Sequence, residues 1–326
     1  MLAALALLGL AAGCGRADGA PPRGPAQPPP PAPAVPDVPG VPGVPGVMEV
    51  LPPDASFIVG VDVVQLRASQ LYAEFGPLMH TALDGLLPGV EERCGLDLAV
   101  VVRWFVLGGG FDDDNSLVLI VEGPSKDQVR GCLARLASAE AWPAPPRHQG
   151  DLTRVALGPD EVAWLGWLDE VTLVATPGDD PARLRARLAG TDGVSQNRAM
   201  MTLVDQVLTT ATLWGVLRLD QAETALLDAE ALFGTVSLVS GLAFETSLRV
   251  ASAEEAEARA TQVRDQFAQA SHTPPLLYLK GLEIEAIDRD LTLRMRLDDA
   301  ALSDLLSVLR EDPTFRVLWE RMDQQP

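Results

Sequence analysis

The chain has 326 residues, 47% of them apolar, enough to bury one large core or two small ones. Aspartate and glutamate number 45 against 25 lysines and arginines, a net charge of −20. A surface this acidic repels phosphate backbones and excludes nucleic acid as a partner; it also disfavours a broad electrostatic grip on anionic lipid headgroups.

Leu2 to Ala12 is almost unbroken leucine and alanine. Such a run fits a signal-peptide core and is too short to cross a bilayer, which takes about 20 residues. It ends Leu10-Ala11-Ala12-Gly13-Cys14, and small residues ahead of a cysteine resemble the lipobox of bacterial lipoproteins. The resemblance implies that residues 1–13 are cut away as a signal peptide. It also implies that a diacylglycerol joins the Cys14 thiol, which becomes the new N-terminus. The sequence departs from that family in having Ala11 where leucine is preferred and no lysine or arginine near its start. Stable anchoring takes more than one acyl chain, at about 0.8 kcal/mol per buried CH₂, and a diacylated, N-acylated cysteine meets that demand. Gly15 rather than aspartate follows Cys14, which by the same resemblance favours the outer membrane. The alternative is an ordinary secretory signal with an incidental cysteine.

Residues 14–48 then read as a tether: "APPRGPAQPPPPAPAVP" passes into "VPGVPGVPGV". Proline removes backbone donors and favours extended polyproline II, while glycine breaks the stiffness. About 30 such residues at ~3.1 Å each reach at most ~90 Å.

The expected fold class is α+β, built from two tandem β-α-β-β-α-β-β-α units over 49–190 and 191–326, with antiparallel sheets and helices packed on one face. Strand "SFIVGV" (56–61) parallels "ATLWGV" (211–216), and "NSLVLIVEG" (115–123) parallels "FETSLRVAS" (244–252). The second pair runs into helices with capping-box signatures at Ser125–Gln128 and Ser252–Glu255. "RVALGPDEVAWL" (154–165) parallels "EAIDRDLTLRMR" (285–296), each a strand, a turn and a strand, and the first unit adds "EVTLVATP" (170–177). Leu71, Phe75, Leu78, Met79, Ala82, Leu83 and Leu86 mark a helical face, and "SQNRAMMTLVDQVLTT" a linking helix. In the last strand Leu291, Leu293, Met295 and Leu297 face one way, and Thr292, Arg294 and Arg296 the other, so one face is wet. Leu302, Leu305, Leu306 and Leu309 form another helical stripe, and Pro313 opens a last short helix.

"LPPDASFIVGVDVVQLRAS", "CGLDLAVVVRWFVLGGG" and "SQNRAMMTLVDQVLTTATLW" resemble a group of uncharacterised bacterial lipoproteins with a duplicated α+β body. The resemblance implies location and fold and carries no chemistry.

Catalytic signatures are missing from the sequence. No Gly-x-Ser-x-Gly, Gly-x-Gly-x-x-Gly or Walker pattern occurs, and His80, His148 and His272 lack metal-ligand spacing. Asp112, Asp113, Asp114 and Asn115 in "GGGFDDDNS" lack the alternating ligands and late glutamate of a calcium loop, and fit a hairpin turn instead. Asp179-Asp180 before Pro181 reads as a helix start, and Trp164 and Trp167 sit on opposite faces of one strand. Cys94 and Cys132 are either a disulfide, as export to an oxidising compartment allows, or two buried thiols. The resulting expectation is a lipid-anchored envelope protein in the outer membrane. It needs no cofactor and no metal and has no catalytic residues. Its role is binding or envelope assembly through a protein partner. The rival is a metal-assisted hydrolase built from scattered acids.

Overall fold

The structure, a computed structural model, describes residues 44–76, 90–110, 116–138, 144–158, 161–219, 229–270, 279 and 281–311. The signal segment, Cys14, most of the tether, the 111–115 loop, His80, His272 and the residues after 311 lie outside that set.

The first half contributes α1 (Val44–Val50), β1 (Phe57–Asp62), α2 (Val63–Ala68), a helical run over 70–76, α3 (Val90–Cys94), α4 (Leu98–Val101), β2 (Trp104–Gly109) and β3 (Val118–Glu122). It continues with α5 (Lys126–Ala137), β4 (Arg147–Gln149), β5 (Leu152–Ala156), β6 (Val162–Trp167), β7 (Thr172–Pro177) and α6 (Pro181–Leu188). A 3₁₀ turn, Val194–Gln196, and α7 (Arg198–Val204) lead into the second half. That half holds β8 (Leu213–Arg218), β9 (Ala231–Ser237), β10 (Leu242–Arg249), α8 (Ala253–Ala270), β11 (Glu283–Ile287), β12 (Asp290–Leu297) and α9 (Asp299–Glu311).

Among the described residues the strands join one 12-stranded sheet in the order β11-β12-β10-β9-β8-β1-β2-β3-β7-β6-β5-β4. Every neighbouring pair is antiparallel. The centre is the β1–β8 pair, with Val59 opposite Gly215. Outward on either side run β2-β3 and β9-β10, then a hairpin whose second strand returns beside β3 or β10. In the sheet β7 lies beside β3 as β12 lies beside β10, and β4 and β5 extend the first side alone. The sequence parallel of β5–β6 with β11–β12 sets β6, not β7, against β12; chain order alone does not tell which strand turns back inward.

Register sets the faces. Ile58, Val106, Ile120, Val174, Trp164 and Val216 share one side of the sheet and bury against Val50 and Leu51, Leu184 of α6, and Met200 and Leu203 of α7. In the second half that side turns polar, and the opposite side is the buried one: Leu248, Leu291 and Ile284 pack under Ala256 and Ala260 of α8, and Met295 and Leu297 under Leu302 and Leu306 of α9. The helices therefore cover different faces at the two ends, against the expectation of one face. Each strand's apolar set decides which side needs cover, and that set changes sides beyond β9.

The tether ends earlier than expected. Val44–Val50 is helical, and Val47, Met48 and Val50 are buried with Leu51. Pro45 sits in the first turn, where its missing N–H costs nothing. The linking helix is shorter than its apolar stretch suggested, closed at Val204 after an Asn197 cap whose Oδ1 accepts from the Met200 N–H.

Candidate functional site

Among the described residues, the densest constellation of charged side chains lies on the uncovered face of β10, β12 and β11. Antiparallel register brings it together row by row. Arg249 stands opposite Asp290, Ser247 opposite Thr292, Glu245 opposite Arg294, and Ala243 opposite Arg296. Next to β12, Glu285 stands opposite Thr292 and Glu283 opposite Arg294.

The first row is a clamp. Arg249 donates Nε to Asp290 Oδ1 and Nη2 to Asp290 Oδ2, both at 2.8 Å, and Nη2 also donates to Gln206 Oε1 at 2.8 Å. Its guanidinium carbon lies 5.2 Å from the Phe233 ring centre. The Asp290 hydrogen bonds hold the guanidinium charge firmly and raise the Arg249 pKa above its usual value, with burial opposing. A raised base contributes stability that is lost only as pH climbs through its folded value, so this arginine is no switch at physiological pH. Both partners are 16% exposed, which makes this the least screened pair on the face.

The second row is a buried hydroxyl pair, Ser247 Oγ and Thr292 Oγ1, 2.9 Å apart. In the third, Arg294 bridges two strands, donating to Glu245 Oε1 at 2.9 Å and Glu285 Oε2 at 3.0 Å. The Glu245 hydrogen bond is the main cause of its raised pKa. Glu245, Glu283, Glu285 and Arg296 are exposed. Exposed pairs of this kind are worth about 0–1 kcal/mol each, so they add little stability. What the face can do chemically is present an ordered array of donors and acceptors on a rigid sheet.

An open groove of about 530 Å³ lies elsewhere, between Ser69 and Gln70, Leu238 and Val239, and Asp299 and Ala300. Its polar groups are helix-start residues: Ser69 Oγ accepts from the Tyr72 N–H at 3.2 Å, and Asp299 lies in the first turn of α9.

The residues singled out in the sequence scatter. Cys94 and Cys132 are joined by a disulfide, with Cα atoms 4.7 Å apart, in a small cluster with Leu96 and Leu136. His148 is on edge strand β4, its Nδ1 3.0 Å from Thr153 Oγ1. Asp180 caps α6 by accepting from the Ala182 N–H, while Asp179 pairs with Arg154 at 2.6 Å. Trp164 is buried in the core with its indole N–H unpartnered, and Trp167 faces the other side. Asp112–Asp114 lie outside the described residues, although β2 and β3 on either side of them pair as a hairpin. No cluster of three or more metal-ligating side chains occurs among the described residues, and no helix among them is long and apolar enough to cross a membrane. Sequence reading placed Arg294 and Arg296 on the wet face but missed Arg249, Asp290, Glu245 and Glu285. Their alternation with buried leucines was the available signal; their partners depended on register.

No protein-family model and no curated protein matches this sequence. Among solved structures the chain is similar to crystal form I of TP0453, with a TM-score of 0.48 and 9% identity over 80% of this chain and 96% of that one. Crystal form III of TP0453 gives a TM-score of 0.46 and 10% identity over 81% and 98%.

Proposed function

We propose that this protein is an exported, lipid-anchored envelope protein that binds a protein partner and performs no catalysis. The observation that carries export is the Cys94–Cys132 disulfide, since such bonds persist in oxidising compartments. Cys14 holds it to the membrane, the outer one by the Gly15 criterion, and residues 15–43 lift the body away. The ordered charges of β10, β11 and β12 form the binding face. The body is a duplicated unit, 49–190 and 191–326; the mirrored strand order about β1–β8 supports this. Mass spectrometry of the protein extracted from its native membrane tests the anchor. The expected N-terminal peptide starts at Cys14 and carries three acyl chains; a free thiol there, or a cut elsewhere, overturns it. A photo-crosslinker at Arg296 tests the binding face, with one discrete protein adduct expected in intact cells and none as the contrary result.

A further inference from the structure

The sheet's two edges are built differently. β4 has three residues and follows Pro145 and Pro146, which blunt it. β11 has five residues and closes on β12 through a two-residue turn, Asp288-Arg289, with Asp288 at φ 52° and Ile287 opposite Asp290. A two-residue hairpin makes its closing pair a hydrogen-bonded one, and antiparallel pairs then alternate. Ile287, Glu285 and Glu283 therefore spend their backbone groups on β12, whereas Ile284 and Ala286 aim theirs outward. The outward direction is visible in one contact: Arg264 Nε of α8 donates to the Ile284 carbonyl at 3.2 Å. Among the described residues, no strand pairs with the outer side of β11.

We propose that β11 is the docking edge for an extended peptide segment with basic residues at alternate positions, which adds as a further strand and displaces Arg264 from the Ile284 carbonyl. Charge complementarity selects the occupant. Side chains of an added strand stand beside those of β11 on the same face, and there Glu283 and Glu285 are exposed. Beside Arg264 on α8, the exposed Glu257 takes the Arg264 Nη2 at 3.0 Å, so the displaced guanidinium keeps a partner. A second copy of this chain is the wrong occupant: antiparallel β11 against β11, centred on the strand, sets Glu285 against its own equivalent, and like charges directly opposite destabilise. Backbone pairing gives such an addition its affinity and alternate side chains its specificity. This rests on the binding role proposed above, and extends the binding face to its edge strand.

The test uses the full chain in detergent micelles and a labelled nonapeptide alternating lysine and threonine, with fluorescence anisotropy as the readout. The lysine peptide binds, and its glutamate–threonine counterpart does not. Arg264→Ala, which frees the Ile284 carbonyl, tightens binding several-fold. Ala286→Pro removes an outward N–H without changing charge and weakens binding at least tenfold. Should that variant misfold, a lysine peptide N-methylated on the amides that face β11 reads the same requirement and loses binding to the unaltered protein. Absence of binding, or binding indifferent to Ala286→Pro and to N-methylation, overturns the proposal, the latter exposing mere attraction to an acidic surface. Self-association of the Arg264→Ala variant in place of peptide binding also overturns it, in favour of a second copy. If the peptide fails while the Arg296 crosslink persists, the edge fails and the binding role stands.

Discussion

The tightest constraint on a single residue lies at Gly60 in the central strand. A Cβ there would sit 2.2 Å from Trp214 Nε1 and 2.3 Å from its Cε2, because the indole of β8 lies flat across this position. Trp214 is 5% exposed and packed in the main core, so its ring has nowhere to retreat. Gly60→Ala is therefore overpacking, and is expected to lower unfolding free energy by about 1–3 kcal/mol. A shifted denaturant midpoint at unchanged slope checks it; an unshifted midpoint means the ring moves freely. The Gly-Val shared by "SFIVGV" and "ATLWGV" is legible in the sequence, but not that the tryptophan of the second segment lies over the glycine of the first. That contact needs the β1–β8 register, which is a pairing between residues 154 apart at this point. Arg294 and Arg296 were legible as a wet face for the opposite reason, since a period of two is local.

Among the elements, α5 depends most on a covalent tie. Its start is secure: Ser125 Oγ accepts from the Gln128 N–H, and Gln128 Oε1 accepts from the Ser125 N–H, the reciprocal cap that the sequence promised. The Ser252 cap of α8 is only half formed, because the Glu255 carboxylate turns to Arg259 at 2.5 Å instead. Along its length α5 packs on α3, and the apolar cluster there holds Cys94, Leu96, Cys132 and Leu136, separate from the sheet cores. Arg135 Nη2 adds a bond to the Cys94 carbonyl at 2.7 Å. With a sequence separation of 38, the disulfide closes a loop worth roughly 4 kcal/mol in the chain-entropy account. Replacing both cysteines by alanine is expected to remove most of that, seen as a lower unfolding midpoint that reducing agent no longer affects. Equal stability of the parent with and without reductant contradicts it. Two cysteines cannot declare from sequence whether they meet, because pairing depends on a Cα separation that only tertiary packing sets. α1 was hidden differently: the spacing of Val47, Met48, Val50 and Leu51 is helical, but it begins inside a Val-Pro-Gly repeat that reads as tether.

For the molecule as a whole, the question is whether the two halves stand alone. The main core answers in part, since Val50, Leu51, Ile58 and Trp104 from the first half share a cluster with Met200, Leu203, Trp214, Val216 and Phe233 from the second. A half-buried polar chain crosses the same seam. Asp62 Oδ2 accepts from Gln65 Nε2 at 2.9 Å, Gln65 Nε2 also donates to the Thr210 carbonyl at 3.0 Å, and Thr212 Oγ1 donates to Gln65 Oε1 at 3.1 Å while accepting from the Leu238 N–H at 3.0 Å. Thr212 is fully buried, so separating the halves would strand its hydroxyl and unpair the backbones of β1 and β8 together. α7, which follows residue 190 in sequence, packs into the core that the first half needs. Two independently folded domains would instead meet at a thin and largely polar interface. The expectation is one cooperative transition in calorimetry, with calorimetric and van't Hoff enthalpies equal. Residues 44–190 and 191–326 expressed apart should each lack a sharp unfolding transition, and regain one when mixed. Two resolved transitions in the intact chain, or a cooperative transition in either isolated half, would show that the central pair joins domains already stable alone.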